Sequence, residues 1–102
     1  MDVAMRHYIA VVHKEANSCY GVSFPDISGI MTAGDSLDEA YRQAREVLEF
    51  AAESWLEDTA SDFPAPRSID ELRRDPAFIE ASRDAILMAV PFDPSPARLA
   101  AE

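Results

Sequence analysis

The chain has 102 residues, with 19 acidic against 9 basic side chains and a formal net charge of −10. That length holds one domain with a modest core, and an apolar content of 48% excludes wholesale disorder. The acidic balance weighs against direct nucleic-acid binding, which depends on Lys and Arg neutralising phosphates, and no apolar run reaches the roughly 20 residues of a membrane span.

The N-terminus, Met1-Asp2-Val3-Ala4-Met5-Arg6, lacks the basic-then-apolar order of a secretory signal, so a cytoplasmic location with no membrane partner is expected. Cys19 stands alone, which excludes an internal disulfide. The charge is concentrated: residues 26–66 carry ten acids against Arg42 and Arg45, net −8. Such a surface either keeps the chain soluble or steers a basic protein partner.

Arg6-His7-Tyr8-Ile9-Ala10-Val11-Val12-His13 is β-branched and aromatic and reads as a strand. After the polar turn Lys14–Ser18, Tyr20, Val22 and Phe24 alternate with Gly21 and Ser23, which predicts a second strand paired antiparallel to the first. Pro25–Gly29 breaks the strand, and Ile30–Ala33 is a short third one. Ser36-Leu37-Asp38-Glu39 is a capping-box signature opening a helix to about Asp58. Its stripe runs through Leu37, Ala40, Tyr41, Ala44, Val47, Leu48, Ala51, Trp55 and Leu56. The opposite side offers the four-residue ion pairs Asp38–Arg42, Arg42–Glu46 and Arg45–Glu49. Trp55 falls on the stripe and reads as core. Pro64 and Pro66 mark an extended linker, Ser68–Leu72 opens a short helix expected to end near Pro76, and Ala85–Val90 is expected to be a buried strand closed by Pro91. The expected fold is α+β: a small β-β-β-α-β domain, with a three-stranded antiparallel meander, an added fourth strand and one long helix packed on the sheet. Residues 1–92 form the domain, and 93–102 form a Pro-rich exit and tail.

Candidate chemistry is sparse. Cys19 reads as a partly buried small hydrophobe, and His7 and His13 lie about 20 Å apart along one strand, too far to share a metal. No glycine-rich phosphate loop is present, and no cofactor or catalytic residue is expected. Asp26 and Asp35 flank the third strand and could converge with Asp38; acids over a sheet can hold metal ions in a nuclease, which is the alternative reading. Turn and helix-start roles account for the same aspartates. Glu46, Glu49, Glu53 and Glu57 climb one helix flank at three- and four-residue steps, as a solvated face or an anionic docking strip.

The ordered set Tyr20-Gly21-Val22-Ser23-Phe24-Pro25-Asp26-Ile27-Ser28-Gly29, then Thr32-Ala33-Gly34-Asp35-Ser36-Leu37-Asp38-Glu39-Ala40, resembles the N-terminal domain of HicB-type antitoxins. The resemblance continues through the helix, the Pro64/Pro66 linker and the strand ending Val90-Pro91. Ser28 stands where the family pattern has proline, and Ile30 where cysteine is common. The resemblance implies a degraded ribonuclease H-like fold without a working active site. It also implies a type II antitoxin role: inhibition of a small basic HicA-type toxin that cleaves mRNA, with Glu46, Glu49 and Glu53 as candidate toxin-facing residues. A homo-oligomer is implied as well. DNA binding in such families resides in a further C-terminal module, so residues 1–102 alone are not expected to bind operator DNA.

Overall fold

The structure is a computed structural model that describes residues 6–14, 16–58 and 63–92. The elements run β1 (Arg6–Lys14), β2 (Tyr20–Ser23), β3 (Met31–Gly34), α1 (Leu37–Asp58), α2 (Ile69–Leu72), α3 (Pro76–Ala81) and β4 (Ile86–Phe92). All strands are antiparallel in the order β3-β2-β1-β4, so β4 closes the sheet on the far side of β1 from the meander. The α+β architecture matches the expectation. The exit and tail expected over 93–102 lie outside the described residues.

Period-two alternation on β1 assigns its residues to two cores. Tyr8, Ala10 and Val12 face α1 and pack with Val22, Phe24, Ala44, Leu48 and Val90. Ile9 and Val11 face the other way, against Leu72 of α2 and Phe78 of α3. The central strand is thus covered on both faces, which explains its near-continuous apolar sequence. Over β2 and β3 only the α1 face is covered, and Met31 on the opposite face is 74% exposed.

The sequence predicts one short helix after the linker; the structure has two. Ser68 and Glu71 form a reciprocal capping box on α2, which ends at Leu72. Asp75 then caps α3 by accepting from the Ala77 N–H at 2.9 Å, with Pro76 at the first helical position. Proline is well suited to that position because its missing N–H has no intrahelical partner there. Pro76 therefore starts a helix instead of stopping one. On α1 the cap is displaced by one residue. Ser36 Oγ accepts from the Glu39 N–H as expected, but the Glu39 carboxylate accepts from the Asp35 N–H at 2.7 Å.

The far end of the α1 core is aromatic. Tyr8 lies 6.0 Å from both Phe63 and Phe92, and Trp55 meets Phe63 edge-on at 5.8 Å. The Tyr8 hydroxyl donates to the Pro64 carbonyl, tying the linker to β1, and burial pushes its pKa up. Tyr8→Phe should therefore cost about 1 kcal/mol, the net worth of one such hydrogen bond. Urea denaturation should show it as a lower midpoint at unchanged slope.

Candidate protein-binding site

The core stripe of α1, Ala40, Ala44, Leu48 and Ala52, is fully or almost fully buried. Beside that stripe Phe50 stands 68% exposed. Glu46 precedes it by one turn and Glu53 follows it by one turn; Glu49 lies further round the helix. Glu46 is exposed, while Glu49 and Glu53 are half-buried. Among the described residues no ion pair joins Arg42 to Asp38 or to Glu46, so those expected helix-surface pairs do not form.

On the other side of Phe50 is a groove of about 320 Å³. One wall is the β2–β3 turn, Ile27 to Ile30; the other is Phe50, Ala51, Ser54 and Trp55 of α1. Ile27 is buried in the α1 core and anchors the turn, whose Gly29 adopts φ +92°, a conformation available to glycine without strain. Trp55 is half-buried: it closes the groove and also packs on Phe63, so it serves core and surface together. Phe50 is the residue that sequence reasoning missed. Its signal was an aromatic that the apolar stripe leaves out, set among glutamates.

The aspartates do not assemble a metal centre. Asp26 Oδ1 accepts from Arg67 Nε at 2.6 Å and Oδ2 from the Arg67 backbone N–H at 2.9 Å. Its side chain is only 5% exposed. Arg67 Nη1 also donates to Asp75 at 3.0 Å, so one guanidinium spans two carboxylates. The guanidinium hydrogen bond, reinforced by the Ala77 N–H, holds Asp75 below the usual carboxylate range, and Asp26 chiefly pushes the Arg67 pKa up. Asp26 is thus spent on joining the β2–β3 turn to the segment before α2, and it does not converge with Asp35 and Asp38. Among the described residues no group of three potential metal ligands occurs.

Cys19 is exposed, contrary to the partly buried position expected for it. It lies just before β2. His13 Nε2 donates to the Ala81 carbonyl at 2.8 Å, a link between β1 and the end of α3. His7 pairs with Pro91 at the opposite end of β1. No described helix is long and apolar enough to cross a membrane.

Comparison with known proteins places this arrangement. Residues 8–102 match the family described as "HicB_like antitoxin of bacterial toxin-antitoxin system". An uncharacterised 14.9 kDa protein from the rep-hol intergenic region of Haemophilus phage HP1 is 34% identical over 80 residues, covering 78% of this chain and 56% of the phage protein. The crystal structure of the Burkholderia pseudomallei antitoxin HicB superposes with a TM-score of 0.69 at 27% identity, covering 82% of this chain and 61% of that one. The N-terminal domain of the same antitoxin gives a TM-score of 0.65 at 26% identity, covering 82% of this chain and 94% of the domain. A toxin-antitoxin complex from Streptococcus pneumoniae shares the fold, with a TM-score of 0.65 at 20% identity over 85% of this chain and 68% of that one. The chain spans somewhat over half the length of the phage protein and of the full Burkholderia antitoxin.

Proposed function

The chain belongs to the HicB-like antitoxins of bacterial toxin–antitoxin systems, and from that premise we propose that it is the toxin-neutralising domain for a basic, mRNA-cleaving HicA-type toxin. The acidic flank of α1, with Glu46, Glu49 and Glu53 beside exposed Phe50, carries the reading. A protein that grips RNA must present Lys and Arg, and an anionic helix flank meets several of them at once through charge-assisted contacts. Seated on that basic surface, the domain excludes the RNA. A protein of this fold has been solved in the Streptococcus pneumoniae toxin-antitoxin complex, which supports a toxin as the partner.

In this reading the chain is an inhibitor without catalysis, cytoplasmic and assembled as a homo-oligomer. Residues 1–102 do not bind operator DNA at physiological salt, since a charge of −10 repels phosphates. The nuclease alternative loses its support because Asp26 is held by Arg67.

The test is purification with the product of the adjacent small basic reading frame, followed by RNA cleavage with and without this chain. Suppressed cleavage by a stable complex is the expected result. Reversing Glu46, Glu49 and Glu53 to Lys should slow association about tenfold or more at low salt and flatten its dependence on ionic strength. Stopped-flow association over a salt series checks this, with circular dichroism confirming the fold. Association unchanged at every salt concentration would return the flank to a solvated face.

A further inference from the structure

We infer that the groove between Phe50 and the β2–β3 turn is the seat of an apolar anchor residue supplied by a basic protein segment, whose flanking cations reach across Phe50 to Glu46 and Glu53. The inference deepens the antitoxin reading and rests on it for the partner's availability. The geometry of the groove stands independently.

Phe50 has neighbours suited to burial but is itself 68% exposed. It forms the outer wall of an apolar recess whose floor and far wall are Ala51, Trp55, Ile27 and Ile30. A cleft of about 320 Å³ has room for a large side chain. Filling it would remove apolar surface from water on both walls and make Phe50 part of a closed contact. The acids stand beyond Phe50, on the side of it away from the groove. Glu46 and Glu53 lie seven residues apart on α1, roughly 10 Å along the axis.

Those neighbouring acids select the occupant. A second copy of the chain docked through a two-fold axis would bring the same glutamates against each other. A nucleic acid or an anionic membrane would be repelled for the same reason. The complementary ligand is a protein segment with a large apolar side chain flanked by Lys or Arg about 10 Å apart, a spacing that two turns of helix or three strand residues provide. The apolar contact would set the lifetime of the complex, and the charges mainly its rate of formation.

The experiment uses the full chain, the adjacent basic gene product as probe, and the variants Phe50→Ala and Phe50→Glu. Ile79→Ala serves as control: it removes a half-exposed apolar residue from α3, away from the groove. Because Phe50 is exposed, its replacement should leave the fold intact, which circular dichroism verifies. Phe50→Ala should weaken binding by more than about tenfold, mainly through faster dissociation. Phe50→Glu should weaken it further, and Ile79→Ala should leave it within twofold. The indole signal of Trp55, the one tryptophan in the chain, supplies a second readout. In the isotope-labelled domain it should shift when unlabelled partner is added. Unaltered binding by both Phe50 variants, or a Trp55 signal that stays fixed at saturation, would overturn the groove while leaving an antitoxin that docks elsewhere. No binding by the unsubstituted chain would overturn both.

Discussion

Gly34→Val should destabilise the domain by about 3 kcal/mol or more, at or above the upper end of ordinary overpacking. Gly34 is buried at the end of β3 where α1 crosses the sheet. A Cβ there would sit 2.4 Å from the Ala40 backbone nitrogen and 2.8 Å from the Ala40 Cα. Both are main-chain atoms in the first turn of α1, so no side chain can rotate away. Strand propensity pulls in the opposite direction, but the advantage of a substituted residue over glycine is only about 0.5–1 kcal/mol. The clash wins. The first turn must lift from the sheet, loosening the contacts of Ala40 and Ala44 together. In a domain of this size the midpoint of thermal unfolding should fall on the order of 15 °C. Gly21→Ala is the matched control, since its nearest neighbour would be the His13 carbonyl oxygen at 3.9 Å, ordinary contact. It should be neutral or slightly stabilising in the same scan.

Arg67→Ala should cost about 2–3 kcal/mol, because it leaves the Asp26 carboxylate enclosed without its countercharge. Fully buried pairs lose more, but the Arg67 side chain is 37% exposed and the residue-67 backbone N–H would still donate to Asp26. Arg67→Lys should recover less than half of the loss. A single ammonium lacks the fork that lets Nε serve Asp26 while Nη1 serves Asp75. The effect is pH-dependent with a defined sign. Asp75 has a lowered pKa in the folded state, so its pairing contributes fully above its unfolded value of 3.8 and is lost as pH falls through the folded one. Urea unfolding of wild type and variant should therefore differ most near neutrality and converge in acid.

Those two residues illustrate what was legible in the sequence. Elements defined by local periodicity could be read directly: the alternation of Tyr20, Val22 and Phe24 and the long stripe of α1. The apolar run Ala85–Val90 does form a strand, but not the buried one closed by Pro91 that is expected: β4 runs through Pro91 to Phe92 at the edge of the sheet, leaving Ile86 and Leu87 42% and 41% exposed. Pairing across long sequence separations could not be read directly. Nothing near Asp26 announces Arg67, 41 residues away, and an aspartate in a Pro-Asp turn reads as a turn residue or a metal ligand until the chain is closed around it. Local signals also misled where one residue has two meanings. Pro76 ends a helix when approached from α2 and starts one when Asp75 caps it. Leu37 and Tyr41 follow the apolar stripe but remain 42% and 37% exposed. The glutamates of the candidate site were visible as a row. Phe50 gained meaning only once the β2–β3 turn was seen to form the facing wall.

The docking of β4 beside β1 has a consequence for how the chain is made. Tyr8 and Val90 pair directly though roughly 80 residues separate them, so the central strand cannot acquire its second neighbour until almost the whole domain has been synthesised. Until then a nascent chain holding the meander and α1 presents one open, strongly apolar edge of β1. Closing so long a loop is entropically costly and is repaid only when the Val90 and Phe92 side chains reach the aromatic cluster. Assembly is therefore concerted and late, and a ribosome-bound intermediate is the species most exposed to rival strands and to proteases.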